Sequence, residues 1–255
     1  MTKLSALIVA HNEEARIGKC LAALSFADEI VVVLDRCTDG SKAIAEKAGA
    51  KIVVGAWPLE GPRREAGVEA AAGPWILEVD ADEIIPPALA REIENAVSAD
   101  ATDFHFIPMH NRVGGNWVKG GWMAALAPDL KGSLFRKDHK TWGPQRVHPG
   151  TDFTGRRGHD MVLGIEHDYA DDLSGLIKRF NRNTSLNAED LVEAPAKMQT
   201  GTLVRKAFSR FWKCYVARGG RKEGAAGFVI AILCALYPLV SHLKAEEIRS
   251  RAETS

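Results

Sequence analysis

At 255 residues, with 46% hydrophobic and 26% charged side chains, the chain has the size and composition of one large α/β domain or of a domain plus an accessory segment. Its 33 basic and 33 acidic residues cancel, so no net field draws it to nucleic acid. The four cysteines, Cys20, Cys37, Cys214 and Cys234, form no C-x-x-C pair, which argues against a zinc knot or a disulfide framework and suits a reducing compartment. The opening stretch MTKLSALIVAHNEE reaches polar residues at His11 and lacks a signal peptide's long apolar core, so cytoplasmic synthesis and retention is expected.

The first hundred residues alternate strand and helix patterns. Leu4 to Ala10 reads as a buried strand, residues 13 to 24 as a helix, Glu29 to Leu34 as the second strand, and DGSKAIAEKAGA as a helix ending near Gly49. KIVV, a helix over 63 to 72 and PWILEV follow, and Pro86-Pro87 opens another helix. Such alternation predicts a mostly parallel, Rossmann-like sheet with helices on both faces. From Asp103 to Tyr169 the pattern breaks into short strands rich in glycine and tryptophan, a mixed half of the kind that holds substrates on loops. A helix is expected from Asp172 to Leu191. The expected division is residues 1–100, 101–195 and 196–255.

The last segment differs in kind. Leu203, Val204, Ala207, Phe208, Phe211, Trp212, Tyr215 and Val216 fall in pairs four apart, an apolar helical stripe. Seven basic residues and no acidic one lie from Arg205 to Lys222, and Ala225 to Val240 carries no charge. That apolar run is short of the roughly 20 residues of a membrane span, and Pro238 interrupts it. A basic amphipathic helix followed by an apolar one fits attachment to an anionic membrane surface. A helical hairpin packed on the domain, or a true span, are the other readings.

Ligands of an open parallel sheet bind at the carboxyl ends of its strands. Those ends carry His11, Asn12 and Glu13 after the first strand, Asp35 after the second, and Asp80 and Asp82 after the fourth. Taken singly, such residues can cap helices. Asp80 and Asp82 are different, because two carboxylates two positions apart in extended chain point the same way. They predict a divalent cation, Mg²⁺ or Mn²⁺, which completes its shell with water and a substrate diphosphate. Neither a dinucleotide-binding G-x-G-x-x-G nor a P-loop is present, which leaves a nucleotide-sugar enzyme or a nucleotidyltransferase.

ALIVAHNEEARIGKCLAAL, DEIVVVLDRCTDGSKAIAEKAGAKIV and WILEVDADE resemble the GT-A domain of family 2 glycosyltransferases. The resemblance extends to the bacterial lipopolysaccharide-core β-glucosyltransferase branch through Arg63 in GPRREAG, Gly120-Gly121-Trp122 with Pro128-Asp129, Leu134-Phe135-Arg136, Arg146-Val147-His148, His167 with Tyr169, and the C-terminal tail. It implies that Glu13 and Asp35 contact the nucleoside, Asp35 by accepting the base N–H. It further implies that Asp80 lies near the ribose and diphosphate and that Asp82 binds the metal. Arg63 is either a diphosphate partner or a solvated charge at a helix start. His148 is the candidate second metal ligand, with His167 weighed beside it; a structural hydrogen bond is the alternative for each. Trp117 and Trp122 either stack on the ligand or belong to the core. The stretch TWGPQRVHPG lacks the acids that the branch carries around its turn, so Asp129 becomes the candidate general base, with a plain loop carboxylate as its alternative.

The function implied is a metal-dependent, inverting glycosyltransferase. It would move a hexose, glucose from UDP-glucose, to a lipid-linked glycan such as lipopolysaccharide core, on the cytoplasmic face of the inner membrane. A nucleotidyltransferase and a catalytically silent, membrane-bound sugar-nucleotide-binding protein are the rivals.

Overall fold

A computed structural model describes residues 3–193 and 199–254. It contains strands β1 (Leu4–Ala10), β2 (Glu29–Asp35), β3 (Lys51–Gly55), β4 (Trp75–Asp80) and β5 (Glu83–Ile84), interleaved with helices α1 (Ile17–Ala23), α2 (Ser41–Lys47), α3 (Glu60–Ala70) and α4 (Pro87–Ala99). There follow β6 (Phe104–Val113), β7 (Asn116–Val118), β8 (Leu130–Arg136), β9 (Lys140–Trp142), β10 (Thr151–Phe153), β11 (Ile165–Ala170), α5 (Leu173–Glu193), α6 (Thr200–Trp212) and α7 (Gly224–Thr254). A π-helical turn, Lys213–Ala217, and a 3₁₀ turn, Gly220–Glu223, join α6 to α7.

The main sheet runs β3-β2-β1-β4-β8-β6-β11-β5, with β7 added to β6. It is parallel from β3 to β4, and the pairs β4–β8, β8–β6 and β11–β5 are antiparallel. The sheet thus joins the expected parallel half, β3 to β4, to the expected mixed half that follows residue 103. The expected parallel half is the part built by helical crossovers, whereas from β6 to β11 strand follows strand with no helix between, and the pairings β4–β8, β8–β6 and β11–β5 are antiparallel.

The chain forms two compact units. The first comprises Met1–Met109, Leu130–Pro144 and Pro149–His167, and the second His110–Asp129, Gln145–His148 and Asp168–Ser255. These limits cut across the expected three parts, because β8 and the first half of β6 extend the sheet of the first unit. The expected boundary between 195 and 196 lies outside the described residues.

In the first unit β1 alternates faces as a two-residue period requires. Leu4, Ala6 and Ile8 pack with Ile17, Cys20 and Leu21 of α1 and with Leu89 and Ile93 of α4. Leu7 and Val9 join Val31, Val33, Ile76 and Phe135 on the other face, against Val68 of α3. The sheet is thus covered on both sides. Gly67 permits the close approach of α3, since a Cβ there would lie 2.2 Å from Leu7 Cδ1.

The second unit is built on α5, α6 and α7. Trp122, Tyr169, Leu176, Phe180, Cys214, Ile230, Cys234 and Tyr237 form its core. Gly121 of the Gly-Gly-Trp stretch has φ +88°, and a Cβ on it would meet Gly220 Cα at 2.9 Å. Helix α7 is long and apolar enough to cross a membrane by length and composition, but it buries Ile230, Ala231 and Cys234 inside this unit.

Candidate functional site

The loops after β1 and β2 are stitched together. The His11 ring bonds Asp35 O through Nδ1 at 2.7 Å, Thr38 N–H donates to Asn12 Oδ1 at 2.8 Å, and Glu13 N–H donates to Ser41 Oγ at 2.9 Å. Glu13 C=O accepts the N–H groups of Arg16 and Ile17. These bonds start α1 four residues later than the expected helix. They also fix the strand ends where Asp35 sits.

Asp35 is buried and surrounded by donors. Arg36 forks onto it, Nε to Oδ1 at 2.9 Å and Nη2 to Oδ2 at 2.8 Å; Trp57 N–H reaches Oδ1 at 3.1 Å and Arg63 Nη1 reaches Oδ2 at 3.1 Å. Burial alone would push this carboxyl up, but the Arg36 hydrogen bonds, the Trp57 N–H and the Arg63 charge hold it below its ordinary value. Arg63, expected at a diphosphate, is here a partner of Asp35. Asp35, expected to accept a base N–H, already accepts four protein donors.

At the end of β4 the carboxylates are held by cations from inside the protein. Lys131 Nζ lies 2.9 Å from Asp80 Oδ2 and 2.8 Å from Glu83 Oε1, and Arg64 Nη2 lies 3.2 Å from Asp80 Oδ1. Glu83 Oε2 accepts Asp80 N–H at 2.9 Å, closing the turn. Burial opposes ionisation of Asp80, yet the Lys131 and Arg64 charges hold its carboxyl well below the usual range. One layer deeper, Glu78 accepts from Arg64 Nη1 at 2.8 Å and from Lys140 Nζ at 2.9 Å. Lys140 is enclosed by the rings of Phe135, Trp142 and Phe153, 4.8 to 5.5 Å from their centroids. None of Arg64, Lys131, Lys140 and Glu78 was singled out by the sequence. Glu78, a charge within the apolar run WILEVD, was the available signal.

Asp82 faces a histidine. Its Oδ2 lies 3.5 Å from His167 Nε2, and both side chains are buried. β11 brings His167 there by pairing antiparallel with β5, with His167 opposite Glu83. His148, the candidate ligand from sequence, belongs to the second unit, where its Nε2 lies 3.1 Å from Asn183 Nδ2. The imidazole beside Asp82 is therefore His167. Two ligand atoms on adjacent positions of an ion with legs of about 2.1 Å stand about 3 Å apart, so the 3.5 Å pair fits a shared cation after a small closure. A carboxylate oxygen with an imidazole nitrogen suits Mn²⁺ better than Mg²⁺. Among the described residues no three His, Cys, Asp or Glu side chains form a complete metal cage. An ion that fills its shell with water and diphosphate does not need one.

In the second unit Asp129 Oδ2 accepts from Arg218 Nη1 at 2.6 Å, and the carboxylate is half exposed. Burial raises its pKa against the pull of Arg218. The Arg146 turn, which lacks neighbouring acids in sequence, finds them on α5. Its guanidinium pairs with Glu189 at 3.1 Å, Asp190 at 2.9 Å and Glu193. Trp122 is core, edge-on to Tyr169 with Nε1 donating to Val118 O at 2.7 Å. Trp117 is exposed, with the Arg112 guanidinium 4.3 Å from its ring.

Sequence comparison gives the class of protein, a glycosyltransferase. The model of the glycosyl transferase family 2 matches residues 5–164, and the chain belongs to that family. An uncharacterized glycosyltransferase of Rickettsia felis is 26% identical over 100% of this chain and 96% of its own. The lipopolysaccharide core biosynthesis glycosyltransferase LpsC of Rhizobium meliloti is 25% identical over 94% of this chain and 91% of its own. Among solved structures, S. aureus TarS 1-349 in complex with UDP is 15% identical, with a TM-score of 0.49 over 99% of this chain and 91% of that one.

Proposed function

We propose that the protein transfers a hexose, glucose from UDP-glucose, to a lipid-linked glycan such as lipopolysaccharide core, inverting the anomeric carbon. The observation that carries this reading is the Asp82–His167 pair, 3.5 Å apart at the carboxyl end of β4, in a chain of family 2. Asp82 and His167 would hold Mn²⁺ or Mg²⁺, which when bound neutralises the charge that builds on the departing diphosphate. Asp80, tied to Lys131 and Arg64, keeps the turn in place and offers its exposed edge to the ribose. Glu13 stands at the neighbouring strand end, on the nucleoside side. Asp129 takes the proton of the acceptor hydroxyl; its raised pKa moves toward the range a general base uses. LpsC supports the choice of acceptor.

Incubation with UDP-glucose and Mn²⁺ tests the reaction. Release of UDP, accelerated by a lipid-linked glycan, is expected. Exchange of pyrophosphate with UTP instead would show a nucleotidyltransferase.

The same reading places the enzyme on an anionic membrane surface at the cytoplasmic face. Helix α6 supports this with two apolar stripes. Leu203 and Phe211 turn inward, whereas Val204, Phe208 and Trp212, four residues apart, are 47%, 75% and 65% exposed. Arg205, Lys206 and Lys213 are exposed on the same helix and the turn after it. Aromatic side chains flanked by cations suit the boundary between head groups and acyl chains. Phe208→Asp with Trp212→Asp is expected to weaken sedimentation with phosphatidylglycerol vesicles by about tenfold or more, from lost apolar burial. Unchanged sedimentation would contradict the attachment.

A further inference from the structure

Sequence alone leaves Trp117 and Trp122 open between stacking on a ligand and packing in the core, and the structure separates them. Trp122 is 1% exposed and donates its Nε1–H to Val118 O. Trp117 is 42% exposed on β7. β6 and β7 pair Asn111 with Val118, Arg112 with Trp117 and Val113 with Asn116. Asn111 and Val118 are buried, so Arg112 and Trp117 share the opposite, outward face. His110, two residues before Arg112, is exposed there with them. Gly114 and Gly115, with φ +58° and +76°, close the hairpin in the left-handed region that a two-residue turn of this type needs.

That face surrounds one flat ring with polar groups. The Arg112 guanidinium lies 4.3 Å from the indole centroid, on one side of the ring, and Asp168 Oδ1 holds it there, 2.8 Å from Nε. The His110 ring stands edge-on to the indole at 6.3 Å. Asn116, the residue before Trp117, is exposed. Arg112 and Asp168 cancel as a pair, so neither an anion nor a cation is favoured by their charge. On α6, by contrast, Phe208 and Trp212 are exposed together with Val204 and several cations, the mixture suited to lipid. A pyranose ring matches the hairpin better. One of its faces presents C–H bonds whose slight positive charge is drawn to the negative face of an aromatic ring. Its hydroxyl groups donate and accept, and an imidazole, an amide and a carboxylate can reciprocate. An indole, with two rotatable bonds, also loses little conformational freedom when a ligand settles on it.

We propose that the outward face of the β6–β7 hairpin binds one sugar ring of the glycan acceptor, stacked on the side of Trp117 away from Arg112, with His110, Asn116 and Asp168 meeting its hydroxyl groups. The inference rests on the reading of a glycan acceptor and adds to it a subsite for that glycan. Arg112 is the positioning residue, since it braces the indole from behind.

UDP release by the full chain with UDP-glucose and Mn²⁺ tests this, measured against rising concentrations of core oligosaccharide freed from lipopolysaccharide by mild acid. No acceleration by the oligosaccharide in the unaltered protein overturns the glycan-acceptor reading and the present inference together. With acceleration established, Trp117→Ala is expected to raise the KM for the oligosaccharide about tenfold or more, the usual cost of deleting an aromatic anchor. Its affinity for UDP-glucose, read by calorimetry, is expected to match that of the unaltered protein. An unchanged oligosaccharide KM in Trp117→Ala overturns the inference and leaves the acceptor reading standing. Weaker sedimentation of that variant with phosphatidylglycerol vesicles, at unchanged KM, would make Trp117 a membrane anchor instead. The ¹⁵N indole resonances of the unaltered protein separate stacking from a loss of fold in the variant. The Trp117 signal is expected to shift saturably with the oligosaccharide while that of Trp122, locked in the core, stays in place. A Trp117 signal that does not move overturns the inference.

Discussion

Lys140→Met is expected to lower the free energy of unfolding by about 3–5 kcal/mol, the usual result of removing one partner of a buried ion pair. Lys140 and Glu78 are almost fully buried, and their charged atoms stand 2.9 Å apart. Without the ammonium, Glu78 keeps only Arg64, whose charge is already divided among Glu60, Glu78 and Asp80. Gly132 O also loses its donor. The methionine would still fill the space among Phe135, Trp142 and Phe153, so packing loss is a minor part of the effect. The double variant Lys140→Met/Glu78→Leu removes both charges at once and is expected to recover most of the loss. Denaturant unfolding of the unaltered protein, Lys140→Met, Glu78→Leu and the double variant measures this. A double variant as unstable as the sum of the two single ones would mean that the aromatic enclosure, not the charge pair, sets the cost.

Asp82→Ala is expected to slow donor turnover about a thousandfold, roughly 4 kcal/mol of transition-state stabilisation. Its folding stability should change little, because the nearby Asp80–Lys131–Glu83 cluster is left intact. His167→Ala is expected to weaken Mn²⁺ by about tenfold or more while leaving Asp82 to hold the ion less tightly. Mn²⁺ paramagnetic resonance reads ion binding independently of turnover. His148→Ala serves as the control, since that imidazole pairs with Asn183, and it is expected to bind Mn²⁺ as the unaltered protein does. Loss of ion binding in His148→Ala with none in His167→Ala would reverse the assignment.

Much of the first unit was legible in the sequence because its strands are short apolar runs. β1, β2, β3 and β4 begin and end within a residue of the positions their Leu, Ile and Val content predicted. The need for positive charge at the end of β4 was legible for a physical reason too, since paired carboxylates at a strand end call for a compensating cation. What could not be read was where that cation comes from. Lys131 and Lys140 lie 51 and 62 residues from the acids they meet, and only the antiparallel return of β8 and β9 brings them there.

The inward place of Arg64 was closer to hand. Gly67 faces the sheet, and Arg64, one helical turn before it, shares that face, which a helical-phase argument could have found. His167 against His148 had no such clue, because the pairing of β11 with β5 joins segments more than 80 residues apart. The double apolar stripe of α6 was visible as spacing. Which stripe is buried depended on α7, with Phe211 meeting Phe228 edge-on at 6.0 Å.

The most direct measurement is calorimetric titration of UDP-glucose into the full chain with and without Mn²⁺. Saturable heat with the ion, and little without it or with Asp82→Ala, is the predicted result. Equal binding with and without the ion, or no binding under either condition, would contradict the account.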